Sequence, residues 1–364
     1  MFQSWDQLFG IDLGTSNTVI YQQGKGIVLR EPSVVAIRQD TGEIEAFGAE
    51  AQAMIGRTPG NLEIVYPLQD GVIANFDVTS AMLQYFIKKT QGRLPWFRSS
   101  QVYISVPCGI TNVQKRAVEE TVVHKGAKKA VAVEEPLAAA LGAGLPVDEP
   151  VGSMVLDIGG GTTQVAVLSL GGIVVSQTVK RAGMSIDRDI IDYVKRTYNL
   201  AIGERTAEEV KMRIGTADPS PEPMVMDIKG RDLLDGLPRS IQISSSEIHT
   251  LLDDFLQGIV DAIRLTLESC PPELAGDVME RGILLCGGGS LLQGLDRRLQ
   301  EETGVPVYMS EQPLDCTALG AGLMVEYSRS SARAGSRMVR NASGGGGKSW
   351  KAAQEPEEPV RKEA

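Results

Sequence analysis

Aromatic residues make up only 5% of the 364-residue chain, and histidine occurs twice, at His124 and His249. Two isolated histidines give no basis for a Ser-His triad or a zinc centre. The four cysteines, Cys108, Cys270, Cys286 and Cys316, are scattered without metal-ligand spacing. Each reads as a small buried hydrophobe rather than a ligand or half of a disulfide. No run approaches the roughly 20 apolar residues of a spanning helix. The first residues, Met1-Phe2-Gln3-Ser4-Trp5-Asp6, lack the basic start and apolar stretch of a secretory signal, so the expected location is the cytoplasm. Positive charge is also short: 36 Lys and Arg stand against 46 Asp and Glu, a net charge of -10. That balance argues against a nucleic-acid binder, which presents a basic face.

What the chain has in quantity is glycine, 40 residues of it, and enough length for two domains with a core each. Two glycine segments rhyme. Phe9-Gly10-Ile11-Asp12-Leu13-Gly14-Thr15-Ser16-Asn17-Thr18 recurs in outline as Val155-Leu156-Asp157-Ile158-Gly159-Gly160-Gly161-Thr162-Thr163-Gln164-Val165. Each is an apolar run, an Asp, one apolar residue, a glycine turn with hydroxyls, then a β-rich run. The two Asp lie 145 positions apart, the spacing of a duplication at domain scale. Neither segment is a dinucleotide fingerprint, because no G-x-G-x-x-G leads into a helix. Two such hairpins facing each other can clamp a nucleotide phosphate tail with backbone N–H groups, and paired carboxylates suit a hydrated magnesium. On residues alone the chain reads as an ATPase.

The surrounding pattern is α/β. Strands are expected at Leu8–Leu13, Thr18–Gln22, Gln101–Val106, Ser153–Ile158, Thr163–Ser169 and Arg281–Leu285. Helices are expected at Val78–Lys89, Asn112–Lys125, Pro136–Ala143, Ile186–Tyr198, Ser246–Glu268, Leu291–Glu302 and Pro313–Ser328. Another is expected at Thr206–Ile214, with Thr206 as its cap and Glu209 at the capping-box position. Residues 1–145 form the expected first half, with a small subdomain at about 33–75; residues 146–328 form the second, with one at about 181–245. The stretch 329–364 lacks apolar periodicity and reads as a disordered tail. Within it, Ser343 to Ser349 imitates a phosphate-binding loop, but no strand precedes it and the first glycine is missing, so it reads as linker.

The ordered pair of hairpins, followed by Ile283-Leu284-Leu285-Cys286-Gly287-Gly288-Gly289-Ser290, resembles the actin, sugar-kinase and heat-shock-chaperone ATPase superfamily. Longer runs are more specific. Gly26 to Ile37, Gly56 to Asn61, Asp70 to Ala74, Glu134-Glu135-Pro136, Gly142 to Pro146 and Ile202 to Glu209 resemble the MreB/Mbl family of bacterial actins, from about Leu8 to Tyr327. The resemblance implies an actin-like ATPase fold with a nucleotide cleft between duplicated halves. It implies ATP/ADP and Mg2+ as cofactors, with Asp12 and Asp157 at the metal. It places Asp12, Gly14, Thr15, Ser16 and Asn17 in the first phosphate loop, and Asp157, Gly159, Gly160, Gly161 and Thr162 in the second. Glu204, Arg205, Thr206, Ala207, Glu208 and Lys211 fall beside the ribose and adenine, and Gly287, Gly288, Gly289, Ser290 and Leu291 beneath the adenine. Glu135, with Thr162 beside it, matches the residue that positions the attacking water. The lesser alternative for Glu135 is a helix-start carboxylate satisfying backbone N–H groups.

Two positions depart from the family pattern: Gln164 stands where Glu is usual and Met184 where Asp is usual. Gln can orient water but cannot serve as a base, so binding is expected and the hydrolysis rate is in question. Leu94-Pro95-Trp96-Phe97, bracketed by Arg93 and Arg98, lies in a loop. Either Leu94, Trp96 and Phe97 fold back on the core, or they enter a bilayer interface with the arginines at anionic headgroups. The family's membrane loop falls here. The implied function is a membrane-associated filament at the inner face of the cell membrane that organises cell-wall synthesis and maintains rod shape. Its implied partners are further copies of itself, the inner leaflet and the wall-elongation proteins, with no nucleic acid. A small-molecule kinase of the same superfamily is the alternative.

Overall fold

The computed structural model describes residues 8–91, 100–124, 127–218, 222–324 and 327. The expected loop at Leu94, Trp96 and Phe97, the residues Phe2 and Trp5, and the tail from 329 lie outside them.

Three strands joined by tight turns open the chain: β1 (Leu8–Leu13), β2 (Asn17–Gln22) and β3 (Gly26–Pro32). A small sheet follows, made of β4 (Val35–Arg38), β5 (Ile44–Phe47) and β6 (Leu62–Val65) with α1 (Ala49–Met54) between the last two. The hairpin β7 (Leu68–Gln69) and β8 (Val72–Ile73) leads to α2 (Phe76–Gln91), β9 (Gln101–Val106), α3 (Asn112–His124), β10 (Lys129–Glu134) and α4 (Glu135–Gly142). At Ser153 the pattern restarts with β11 (Ser153–Ile158), β12 (Thr163–Ser169) and β13 (Gly172–Val179). Then come α5 (Gly183–Tyr198), β14 (Leu200–Ala201), α6 (Glu204–Ile214), β15 (Val225–Asp232), β16 (Pro238–Ser244), α7 (Ser245–Glu268) and α8 (Pro272–Arg281). The chain continues through β17 (Ile283–Cys286), a 3-10 turn at Gly288–Leu291, α9 (Leu295–Thr303), β18 (Val307–Met309) and α10 over 316–324.

The duplication is topological. One five-stranded sheet runs β10-β9-β1-β2-β3 and the other runs β13-β12-β11-β17-β18. In each, the first strand of the half pairs antiparallel with the second and parallel with the fourth. Strands β11 and β12 are buried along their whole length, which is why they read as near-continuous apolar runs. Each half has its own core. One gathers Phe9, Ile11, Ile104 and the α2 residues Met82, Leu83 and Phe86; the other gathers Leu156, Val165, Ile190, Val210, Leu256 and Ile259.

Three local expectations are corrected. The helix expected at Thr206 starts at Glu204, with Gly203 as its cap and no side-chain capping bond. Thr206 donates its N–H to the Gly203 carbonyl, and Glu209 pairs with Arg213 at 3.1 Å, so the Thr206/Glu209 capping box is absent. The expected helix Leu291–Glu302 is interrupted, because Gly294 takes a left-handed φ of 72° before α9 begins. The helix expected from Pro313 begins at 316, after a turn.

Candidate functional site

Asp12 and Asp157 occupy equivalent places in β1 and β11, paired across their hairpins with Val19 and Gln164. Both hairpins turn on glycine: Gly14 N–H donates to Asn17 O at 3.1 Å, and Gly159 N–H to Thr162 O at 2.9 Å. The two turns face each other. A Cβ on Gly160 would fall 1.9 Å from Ser16 Oγ, and one on Gly161 2.4 Å from Thr15 Oγ1. Glycine alone permits that approach. Thr15 Oγ1 also accepts the Gly71 N–H at 3.0 Å. Between the turns lies a cleft of about 530 Å³.

Three carboxyl groups converge on the cleft floor. Asp12 accepts from Ser105 Oγ at 2.7 Å, yet desolvation and the nearby Asp315 carboxylate push it up to about 6. Asp157 is buried and rises to about 7, through desolvation and then the charge of Asp12, against a hydrogen bond from Thr317. Neither Asp makes an ion pair among the described residues. Buried acids without a cationic partner fit a divalent cation held through its waters.

Glu135 opens α4 and is pushed well above the usual carboxylate range by burial, then by Asp12 and Asp157. Its neighbour is Gln164. The Cys108 N–H donates to Gln164 Oε1 at 2.7 Å, which turns the amide so that Nε2 donates to Glu135 Oε2. Gln164 therefore acts as a hydrogen-bonded arm on Glu135 without adding a fourth carboxylate.

The expected members of both turns line this cleft, as do Glu135, Glu208, Lys211, Gly287, Gly288, Gly289 and Leu291. Gly287 has φ of 77° and passes so close to Asp157 that a Cβ would meet Oδ1 at 2.4 Å. Lys211 donates to the Gly183 carbonyl at 2.9 Å and pairs with Asp187 at 2.8 Å. Other expected residues are placed elsewhere. Glu204 and Arg205 line an adjoining cavity of about 350 Å³, where Tyr66 Oη donates to Glu204 Oε2 at 2.7 Å. Ala207 packs in the core, and Ser290 is buried with its hydroxyl on the Gly287 carbonyl at 2.6 Å. Thr206 lines neither cavity. Sequence reasoning missed Gly71, Gly183, Leu314 and Thr317, which line the cleft. Gly71, inside the Asp70 to Ala74 run, and Gly183, beside the departure at Met184, stood in segments already singled out; Leu314 and Thr317 were expected only as part of a helix.

Comparison with known proteins gives the family and the fold. The family model described as MreB/Mbl protein matches residues 6–333. Cell shape-determining protein MreB of Escherichia coli is 52% identical over 320 residues, covering 87% of this chain and 92% of that protein. Cell shape-determining protein Mbl of Bacillus subtilis is 47% identical over 317 residues, covering 87% and 95%. The crystal structure of MreB 5 of Spiroplasma citri bound to AMPPNP superimposes with a TM-score of 0.86 at 36% identity, covering 92% of this chain and 100% of that one. The fold is thus the actin-like one, and the facing turns at a 145-residue offset are its signature in this chain. With 328 residues matched by one family model, the chain belongs to the MreB/Mbl family.

Proposed function

We propose that this chain binds ATP and ADP in the cleft between its halves, hydrolyses ATP slowly, and assembles with copies of itself into filaments. The halves are taken as 1–145 and 146–328, with small subdomains at about 33–75 and 181–245. The observation that carries the reading is the pair of equivalent turns facing across one cleft. The Thr15 and Ser16 hydroxyls and the backbones of Gly159 to Gly161 are the groups that would hold the phosphates. Asp12 and Asp157 would hold magnesium through its waters, and the ion would neutralise phosphate charge. Glu135, held by Gln164, is the group that would orient the attacking water, with Thr162 beside it. Lys211, Glu208 and the Gly287–Leu291 turn supply the other wall, the side expected to hold the nucleoside. Spiroplasma MreB 5 is bound to AMPPNP in one structure and to ADP in another.

Self-association would draw on apolar side chains at the surface. At the turn joining β15 to β16, Leu234 is 80% exposed and Leu237 62%. The relatives' names carry the role of determining cell shape. The chain is here proposed to play it as a filament acting on wall synthesis at the inner face of the membrane with the wall-elongation proteins. No helix among the described residues is long and apolar enough to cross a membrane. The proposed attachment is peripheral, through Leu94, Trp96 and Phe97. The kinase alternative is set aside by the family match.

The cleft assignment is tested by ATP binding in Mg2+. Asp12→Ala and Asp157→Ala should each weaken it, because the hydrated ion loses an anionic anchor. Unchanged affinity in both variants removes the assignment. Pelleting with ATP and no small-molecule acceptor tests assembly; protein that stays in the supernatant at every concentration tested counts against it.

A further inference from the structure

The start of α10 and the residue just before it make two side-chain contacts two residues apart, one to each half. Asp315 receives Arg30 of β3 at two points, Nε to Oδ1 at 2.7 Å and Nη2 to Oδ2. Thr317 lines the cleft beside Asp157 of β11 and holds that carboxyl down against its desolvation. The segment is itself anchored, since Gly287 N–H donates to the Pro313 carbonyl at 2.8 Å. Arg30 is not placed at random in its strand. Asp12 pairs with Val19, and Val19 pairs with Arg30, so the two lie in register on one face of the sheet. Asp315 is 8% exposed and Arg30 56%, so the carboxylate is buried and the guanidinium reaches it from the solvent side. Two-point guanidinium–carboxylate pairing fixes direction as well as distance.

We infer that Arg30 and Asp315 are positioning residues that clamp the two halves at the spacing magnesium needs. Resting on the nucleotide-site reading above, the proposal gives the segment Asp315 to Thr317 the part of a ruler between β3 and β11. Arg30 sets one end, and Thr317 carries the setting to Asp157. Arg30 also offsets the charge of Asp315, which already bears on Asp12 and would bear on it more with Arg30 gone. Loss of the clamp should therefore be felt where Asp12 and Asp157 act together, in the magnesium-dependent part of ATP binding. A contact that served only to hold the fold would lower stability and leave that part unchanged.

The test measures ATP affinity in Mg2+ and in EDTA for wild type, Arg30→Gln, Arg30→Lys, Asp315→Asn and the double variant Arg30→Gln/Asp315→Asn. Melting and backbone hydrogen exchange at Gly287 and Thr317 are followed without nucleotide or metal. The clamp predicts about tenfold weaker binding in Mg2+ for Arg30→Gln and Asp315→Asn, with little change in EDTA. The double variant should bind better than Arg30→Gln alone, because it removes the unpaired Asp315 charge. Arg30→Lys keeps the charge, loses the two-point grip, and should fall between; it also guards against a variant that fails to fold. Exchange at Thr317 should quicken in both single variants. Equal Mg2+-ATP affinity across the series overturns the clamp while leaving the nucleotide site standing. If wild type itself binds no Mg2+-ATP, the site reading fails, and the metal-free arm decides alone: additive melting shifts with unaltered exchange overturn the clamp, and coupled ones with faster exchange uphold it.

Discussion

Asp157 shows how a single side chain can report on an intended partner. Its ordinary value of 3.8 rises to about 7 in the fold, so the folded state holds a proton that the unfolded chain has released. The favourable contribution is then complete below about pH 4 and disappears as pH rises through about 7. Without nucleotide or metal, Asp157→Asn should be more stable than wild type at pH 8 by a few kcal/mol at most, with the difference vanishing near pH 4. Urea melts of both proteins across that range check it; a variant no more stable at pH 8 would mean that Asp157 is already compensated. Glu135 makes the matching kinetic prediction. Glu135→Ala should keep ATP binding and assembly but slow phosphate release by about 10²-fold or more, through loss of water positioning. Gln164→Glu, the residue usual in the family, would face Glu135 with a second carboxylate, and the two would have to share a proton. Its rate should therefore fall at low pH and recover only as the pair ionises; a profile superimposable on wild type would show that the Gln164 arm does not govern Glu135.

Among elements, α4 decides where Glu135 points, and α10 decides where α4 lies. The two helices meet through glycine. A Cβ on Gly320 would fall 1.7 Å from the Ala138 carbonyl oxygen, and one on Gly142 1.8 Å from that of Cys316. Gly320→Ala should cost about 1–3 kcal/mol of stability by overpacking. Because α4 must move, ATP hydrolysis should suffer more than ATP binding; thermal melts with turnover and binding assays on the same samples separate the two, and an unshifted melt would place the helices farther apart than stated. Legibility in the sequence follows the same logic of burial. Strands β1, β9, β11 and β12 are readable to the residue because they are continuous apolar runs stopped by glycine or proline. Strand β15 is not, since Val225, Asp227, Lys229 and Arg231 are exposed and its only fully buried residues are Ile228 and Asp232. Helix α8 escaped notice with Val278 as its sole fully buried residue. The two glycine turns could be read because close approach of backbone to a facing turn demands glycine in a pattern. Thr317 and the Arg30–Asp315 pair could not, because 285 positions separate partners that carry no local motif.

At the scale of the whole molecule the open matter is how a chain with no membrane-crossing helix among its described residues would stay at a membrane. The sequence that follows α2 holds Leu94, Trp96 and Phe97 between Arg93 and Arg98, the segment expected to be a loop. Burying one large apolar side chain is worth roughly 1.5–3 kcal/mol in an alkane-like medium and less at an interface. A single chain would therefore hold a bilayer weakly. A filament repeats the loop once per copy, and once one loop is seated the next binds at high effective concentration, so weak contacts become firm attachment. This couples assembly to the membrane without any new contact. It predicts that Trp96→Ser/Phe97→Ser abolishes liposome binding while ATP binding and pelleting remain intact. Arg93 and Arg98 should add a part that fades with salt on anionic lipid and is absent on neutral lipid. Co-sedimentation with liposomes at matched polymer content is the measurement, with wild type held below its assembly concentration as the control for avidity. Equal lipid binding by wild type and the double variant would place the membrane contact elsewhere, with Phe2 and Trp5 next to test; strong binding by unassembled wild type would remove the coupling to filament length.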